Sequence, residues 1–250
     1  MSLFKSGNPT LSEKQFEKTI SVSTGESMTF RGTLNKFGFL MLMVFAGAFL
    51  TWDQFAKGAN PMTWMIGGVI GALIVAIVMM FKKEWSPFLA PAYAILEGLF
   101  LGGISAFFNA GFYDGIVAHA IGLTFAVVLV MYLLYSFRII QVTNRLRTII
   151  FAATASIAVF YLLTWILGFF GIQFDFLSAT DYSLFGIGFS LFVIIIATLN
   201  LLLDFDMIEQ GVNMGAPKYM EWYGAFGLLV TIVWLYIEIL RLLARFNSRD

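Results

Sequence analysis

Seven apolar stretches, each about as long as a membrane-spanning helix, constrain the fold of this chain more than any other feature. They follow one another at residues 37–55, 62–81, 88–108, 116–136, 149–170, 183–204 and 222–243. A helix needs about 20 apolar residues to cross the ~30 Å hydrocarbon core of a bilayer. The sequence therefore predicts an all-α, polytopic membrane protein with seven transmembrane helices.

The overall composition supports this prediction and excludes several kinds of site. Hydrophobic residues make up 60% of the chain and charged residues only 12%, whereas soluble domains contain about 25% charged residues. We therefore expect the lipid bilayer to be the main partner, and no basic tract indicates nucleic acid. The chain has no cysteine and one histidine, His119, which excludes thiolate and histidine-based metal sites. We expect no metal site and no cofactor.

The domain organisation follows from where the apolar residues begin and end. Residues 1–33 are polar and lack the apolar core of a signal peptide, so we expect a disordered N-terminal tail. Residues 34–246 form the predicted transmembrane domain, and residues 247–250 form a short C-terminal tail.

Lys and Arg residues are concentrated in every second connecting segment. Eleven Lys and Arg residues lie on one predicted side and only Lys57 on the other, which places the N-terminus in the cytoplasm of a cell membrane. Seven spans then put the C-terminus outside, although Arg241, Arg245 and Arg249 lie there. Either the seventh helix is partly re-entrant or buried within the bundle, or these arginines are tolerated outside.

Small residues recur at a spacing of four in the predicted second and third helices. The pairs are Gly67 with Gly71, Ala72 with Ala76, and Gly98 with Gly102. This spacing lets helix backbones approach closely in a membrane, so it predicts a compact bundle.

A few acidic residues lie inside or at the ends of these apolar segments. They are Glu97 in the third, Asp204 and Asp206 closing the sixth, and Glu238 in the seventh. A charge near the bilayer centre costs roughly 2.5–3.5 kcal/mol on insertion scales, so such residues usually face a partner or a cavity. The two aspartates lie about 200° apart on a helix and cannot both face one partner.

Two interpretations of Glu238 follow from its neighbours. It either forms a local ion pair with Arg241 at i+3, or meets Asp204 or Asp206 across the bundle. In the second case the two carboxylates share a proton and form a proton-responsive gate.

Four acids have auxiliary or structural interpretations. Asp206 and Glu209 share one helix face. Glu97 is either a third member of the acidic cluster or a structural hydrogen-bond acceptor. Glu221 is predicted to begin the seventh helix, where a carboxylate complements the helix dipole.

Four separated segments resemble the bacterial branch of the Bax inhibitor-1/YccA family. They are LDFDMIEQGVNMGAPKYMEWY at 203–223, VWLYIEILRLL at 233–243, APAYAILEGLFLG at 90–102 and FRIIQVT at 137–143. The resemblance runs from about residue 31 to residue 246.

The resemblance implies a seven-helix fold in which the last helix is central and the other six surround it. It also implies a pH-sensitive calcium leak, gated by an aspartate pair on the sixth and seventh helices. In this chain the seventh-helix acid is a glutamate instead of an aspartate. Matched by motif, the pair is Asp204 and Glu238, with Asp206 as a competing position. Glu97, Arg241 and Glu209 are auxiliary candidates. The second helix lacks the mid-span arginine that accompanies the pair in some relatives.

The expected function is therefore a pH-sensitive cation leak channel or exchanger that carries calcium and responds to protons. The alternative is a non-transporting regulator of stress or protein quality control that binds a membrane protease. An intramembrane aspartyl protease needs a Gly-x-Gly-Asp element, and the segment Gly186–Phe189 lacks the acid. Nor is Gly188-Phe-Ser190 the Gly-x-Ser-Gly element of a serine protease. We expect no enzymatic activity.

Overall fold

A computed structural model describes residues 26–172 and 174–247 of the chain. Within them, seven long helices confirm the predicted all-α architecture, and each is long and apolar enough to span a membrane. The helices are α1 (Phe30–Ala56), α2 (Met62–Phe81), α3 (Ser86–Gly111), α4 (Ile116–Ser136), α5 (Asn144–Gly168), α6 (Leu184–Asn213) and α7 (Met220–Asn247). Short 3-10 turns at Lys83–Trp85 and Asp175–Leu177 lie in two of the connections.

The first helix begins earlier than its apolar stretch. Thr29 caps it, because its side-chain oxygen accepts a hydrogen bond from the Gly32 backbone N–H at 3.0 Å. Residues 30–33, which we assigned to the tail, therefore belong to α1. The rest of the predicted tail up to residue 25, and residues 248–250, lie outside the described residues.

The sixth helix continues past its predicted end at residue 204 and reaches Asn213. Its polar extension contains Asp206 and Glu209, which form ion pairs with Arg147 and Arg138. Because these partners compensate the two charges, the chain can remain helical where its sequence stops being apolar.

Gly98 and Gly102 make the close backbone approach that their spacing predicts, and the structure identifies α1 as the partner helix. A Cβ atom placed on Gly98 would lie 2.3 Å from the Val44 carbonyl oxygen, and one on Gly102 would lie 2.3 Å from the Ala48 carbonyl oxygen. On α2 the close contact lies at Gly68 instead, where a Cβ would lie 2.7 Å from the Leu96 carbonyl oxygen, while Gly67 faces open space.

The seventh helix is continuous and contributes most to the buried core. In the 18-residue apolar stretch of this helix 61% of the residues are buried, the largest share among the seven helices described. It packs against α1, α3, α4 and α6, with Leu228, Leu229, Leu235 and Leu240 fully or almost fully buried. The expectation that the other six helices surround it stays a prediction.

The two ends of α7 show where Arg245, one of the three C-terminal arginines, is placed. Ser27 forms an isolated β-bridge with Pro217, so α1 and α7 begin at the same end of the bundle and α7 ends at the opposite one. There Arg245 is completely buried and donates a hydrogen bond to the Phe176 carbonyl oxygen at 2.6 Å. Arg249 lies outside the described residues, and the side of the membrane that this end of α7 faces stays a prediction.

Candidate acidic site of the bundle

Asp204 lies on α6 where this helix packs against α7. Its carboxylate lies beside the Thr231 hydroxyl of α7. The Asp204 Oδ2 atom is buried and, among the described residues, has no hydrogen-bond partner. An ionised carboxylate that is buried without full compensation costs several kcal/mol. Binding of a proton or a cation at this position removes that cost.

Glu238 is held by partners on its own helix and on α5. Arg241 donates to both carboxylate oxygens at 3.1 Å, and the Tyr161 hydroxyl donates to Oε1 at 3.0 Å. The Arg241 guanidinium also donates to the Tyr161 oxygen at 3.1 Å. This geometry confirms the local ion pair, one of the two interpretations of Glu238.

The two acids matched by the family motif lie at different depths of the bundle. Thr231, which faces Asp204, precedes Glu238 by seven residues, and this spacing corresponds to about 10 Å along a helix. In the described part of the chain, the hydrogen bonds and ion pairs of Glu238 involve Tyr161 and Arg241. The coupled carboxylate pair therefore stays a prediction.

Asp206 and Glu209 each pair with a different arginine. Asp206 accepts hydrogen bonds from Arg147 and, at 2.6 Å, from the Gln210 side chain. Glu209 accepts from Arg138 and from the Tyr135 hydroxyl. Asp206 thus faces α5 while Asp204 faces α7, as their angular separation predicts.

Arg138 reaches Glu209 from an uncommon backbone conformation. It follows the C-terminal end of α4 with φ at 57°, in the left-handed region that usually favours glycine. Its hydrogen bond to Glu209 raises the pKa of the Arg138 guanidinium, so this side chain stays charged at any physiological pH. The strained position is explained by the ion pair that it supports.

Glu97 lies on α3 at nearly the same depth as Asp204. It is buried and adjoins the Tyr93 hydroxyl one turn earlier. The ring of Tyr93 packs edge-on against Phe226 at 4.8 Å, and Ser105 hydrogen-bonds to Tyr236 at 2.6 Å. These contacts put α3 and α7 in parallel register, with Glu97 level with the turn of α7 that contains Thr231.

Glu221 has the structural position that the sequence predicts, in the first turn of α7. Its fully buried carboxylate accepts hydrogen bonds from the Thr29 backbone and side chain at 2.9 and 2.8 Å. It also forms ion pairs with Lys36 and Lys218. Its hydrogen bond to Lys218 raises the pKa of that ammonium group, so Lys218 stays charged between pH 6 and 8. We call this group of four residues the N-terminal clamp.

Several partners in these sites carry no signal in the sequence. Tyr161 and Thr231 lie in apolar helices without distinctive spacing, and Arg147 appears only as one charge of a connecting segment. The described residues contain no group of three or more His, Asp or Glu side chains that could hold a metal ion.

Comparisons with known proteins agree with the four segments quoted above. The family model described as Bax inhibitor 1 like matches residues 8–248, which is almost the whole chain. A search of curated proteins finds no match. The match includes all seven helices and every acidic residue of the candidate site, and the chain therefore belongs to the Bax inhibitor 1 like family.

Proposed function

We propose that this protein is a pH-sensitive cation leak channel or exchanger and that calcium is its ion. The observation that carries the proposal is the Asp204 carboxylate, which lies between α6 and α7 and whose buried Oδ2 atom lacks a hydrogen-bond partner among the described residues. Intramembrane acids of this kind commonly mark ion and proton pathways. Glu97 adds a second buried carboxylate at nearly the same depth.

Further acids lie on both sides of this layer. Glu209 lines a pocket of about 200 Å³ at the end of the bundle where α1 and α7 begin. Asp206 lies one helical turn from Glu209, and Glu238 lies beyond Asp204 toward the opposite end. Arginines compensate Glu209, Asp206 and Glu238. The carboxylates that a cation meets along α6 and α7 without an arginine partner, among the described residues, are therefore those of Asp204 and Glu97. In this proposal, a proton bound at Asp204 or Glu97 competes with the cation, which supplies the pH response.

The test is calcium flux into liposomes that contain the purified protein, measured between pH 6 and 8. We expect the flux to be greater at pH 8, because a neutral carboxyl group no longer attracts the cation. Asp204→Asn and Glu238→Gln should each reduce the flux and flatten its pH dependence.

Two exposed acids provide matched controls for these substitutions. Asp53→Asn removes a carboxylate paired with Lys57 at the surface, and Glu84→Gln removes an exposed one. Both should behave like the wild type. If Asp204→Asn and Glu238→Gln also match the wild type at every pH, the proposal fails.

A second candidate function is a non-transporting regulator that binds a quality-control protease of the membrane. It is supported by the segment before α1, which contacts the connection between α6 and α7: the Met28 N–H donates to the Ala216 carbonyl oxygen at 2.7 Å. Deletion of residues 2–25 leaves this segment and the Thr29 cap in place. If this candidate holds, the deletion abolishes co-purification of the protease and leaves calcium flux unchanged; unchanged co-purification contradicts it.

We also propose that the protein lies in the cell membrane with a cytoplasmic N-terminus and that it has no enzymatic activity. The charge pattern supports the orientation, since eleven Lys and Arg residues of the N-terminal segment and the six predicted connections lie on one side and one lies on the other.

A further inference from the structure

A cavity of about 570 Å³ lies between α1, α3, α4 and α7. One wall consists of α1 from Met41 to Trp52, the opposite wall includes Val117 and Ile121 of α4, and Tyr236 of α7 lies in the interior. At the end of the bundle where α1 begins, α1 and α4 are in contact through the stacked rings of Phe30 and Tyr132, whose centroids lie 6.5 Å apart. The cavity occupies the space between α1 and α4 beyond that contact.

The hydroxyl groups of the cavity wall are already engaged within the protein. Thr124 donates to the Ala120 carbonyl oxygen at 2.7 Å, and Ser105 and Tyr236 bond to each other at 2.6 Å. A buried water molecule needs two to four polar partners, and the remaining wall is almost entirely aliphatic and aromatic. The occupant that fits this surface is apolar.

The dimensions and position of the cavity indicate what this occupant is. Met41 to Trp52 covers about 16 Å of helix, which is roughly half of the ~30 Å hydrocarbon thickness of a bilayer. This is the depth that the acyl chains of one leaflet occupy. Three phenylalanines of the wall, Phe45, Phe49 and Phe125, are 40–70% exposed, so the cavity opens sideways toward lipid.

We propose that the cavity binds one acyl chain of a membrane lipid, taken from the leaflet opposite the end where α1 begins. A pocket of this volume is within the range of small-ligand sites. An acyl chain supplies the apolar contacts that the separated helices α1 and α4 do not make with each other. The proposal concerns binding alone and does not depend on ion conduction.

The test is native mass spectrometry of the full chain, purified from membranes in a mild detergent. We expect the wild type to retain a lipid, identified by its mass. Ala48→Trp narrows the cavity from α1 and Ile121→Trp narrows it from α4, so each should lose the bound lipid. Two walls are tested so that the proposal stays falsifiable even where one substitution prevents folding.

Exposed positions on the same helices give matched controls. Ala46 and Leu123 lie outside the cavity wall and are exposed, so Ala46→Trp and Leu123→Trp should retain the lipid as the wild type does. A wild type that retains no lipid overturns the proposal. So does equal retention by the cavity and control variants, which would mean that the lipid binds elsewhere on the surface.

Discussion

The two side chains of the ion pair between Glu238 and Arg241 differ strongly in their exposure. The Glu238 side chain is 2% exposed, whereas that of Arg241 is 25% exposed. Removing the arginine leaves an almost fully buried carboxylate, while removing the glutamate leaves a guanidinium that is partly exposed at the surface of the bundle. The two single substitutions should therefore differ in cost.

We predict that Arg241→Gln destabilises the protein by roughly 3–5 kcal/mol, the usual cost of breaking a buried pair by removing one partner. Glu238→Gln should cost distinctly less. The double variant should be more stable than Arg241→Gln alone, because it no longer contains the unpaired carboxylate. Unfolding of all four proteins in one detergent measures these differences. Equal costs for the two single variants would contradict the asymmetry.

At this scale the sequence indicates which residues are unusual but not what they contact. Glu97, Asp204 and Glu238 stand out because a charge in an apolar segment is costly. Their neighbours Tyr161 and Thr231 depend on how the helices rotate and pack, and helical periodicity carries no information on which faces meet. By contrast, the pair of Glu238 with Arg241 could be predicted, because both residues lie on one helix and their contact does not depend on how helices pack.

The backbones of α1 and α3 approach each other closely at three glycine positions. Backbone approaches backbone at Gly47, Gly98 and Gly102, where an added Cβ would lie within 2.3–2.5 Å of a carbonyl oxygen. A carbonyl oxygen of a helix backbone cannot rotate away as a side chain can. The whole helix must shift to accommodate any larger residue.

We predict that Gly98→Ala destabilises the protein by about 1–3 kcal/mol through this overpacking. Gly67→Ala is the control, because nothing lies within 4 Å of a Cβ placed there, and its effect should stay within about 0.5 kcal/mol. The shift in thermal unfolding midpoint of the detergent-solubilised variants measures both. Similar shifts for the two would show that the contact is looser than described.

The helices themselves could be predicted from apolar length, whereas two of their ends could not. α1 begins at Phe30 because Thr29 caps it, and α6 reaches Asn213 because Arg138 and Arg147 compensate its acids. A cap and an ion pair are individual contacts, and a hydropathy window averages over them. Predicted ends are therefore least accurate where polar residues remain helical.

For the molecule as a whole, the proposed orientation is open to a direct test because the chain contains no cysteine. Asp114 lies in the connection between α3 and α4, and Glu84 lies in the connection between α2 and α3, and both are exposed. We predict that a membrane-impermeant maleimide labels Asp114→Cys in intact cells. Glu84→Cys should react only after the membrane is opened. The reverse pattern would place the N-terminus outside.

The N-terminal clamp also has a consequence for the order in which the protein is made. Thr29 and Lys36 leave the ribosome near the start of synthesis, but their partner Glu221 follows only after six helices have been synthesised. Until the seventh helix has been synthesised, the start of the first helix therefore lacks its hydrogen bonds and its ion pair with Glu221. Closure of the clamp then joins the first helix to the seventh, so a chain that stops before residue 221 lacks the carboxylate that completes its assembly.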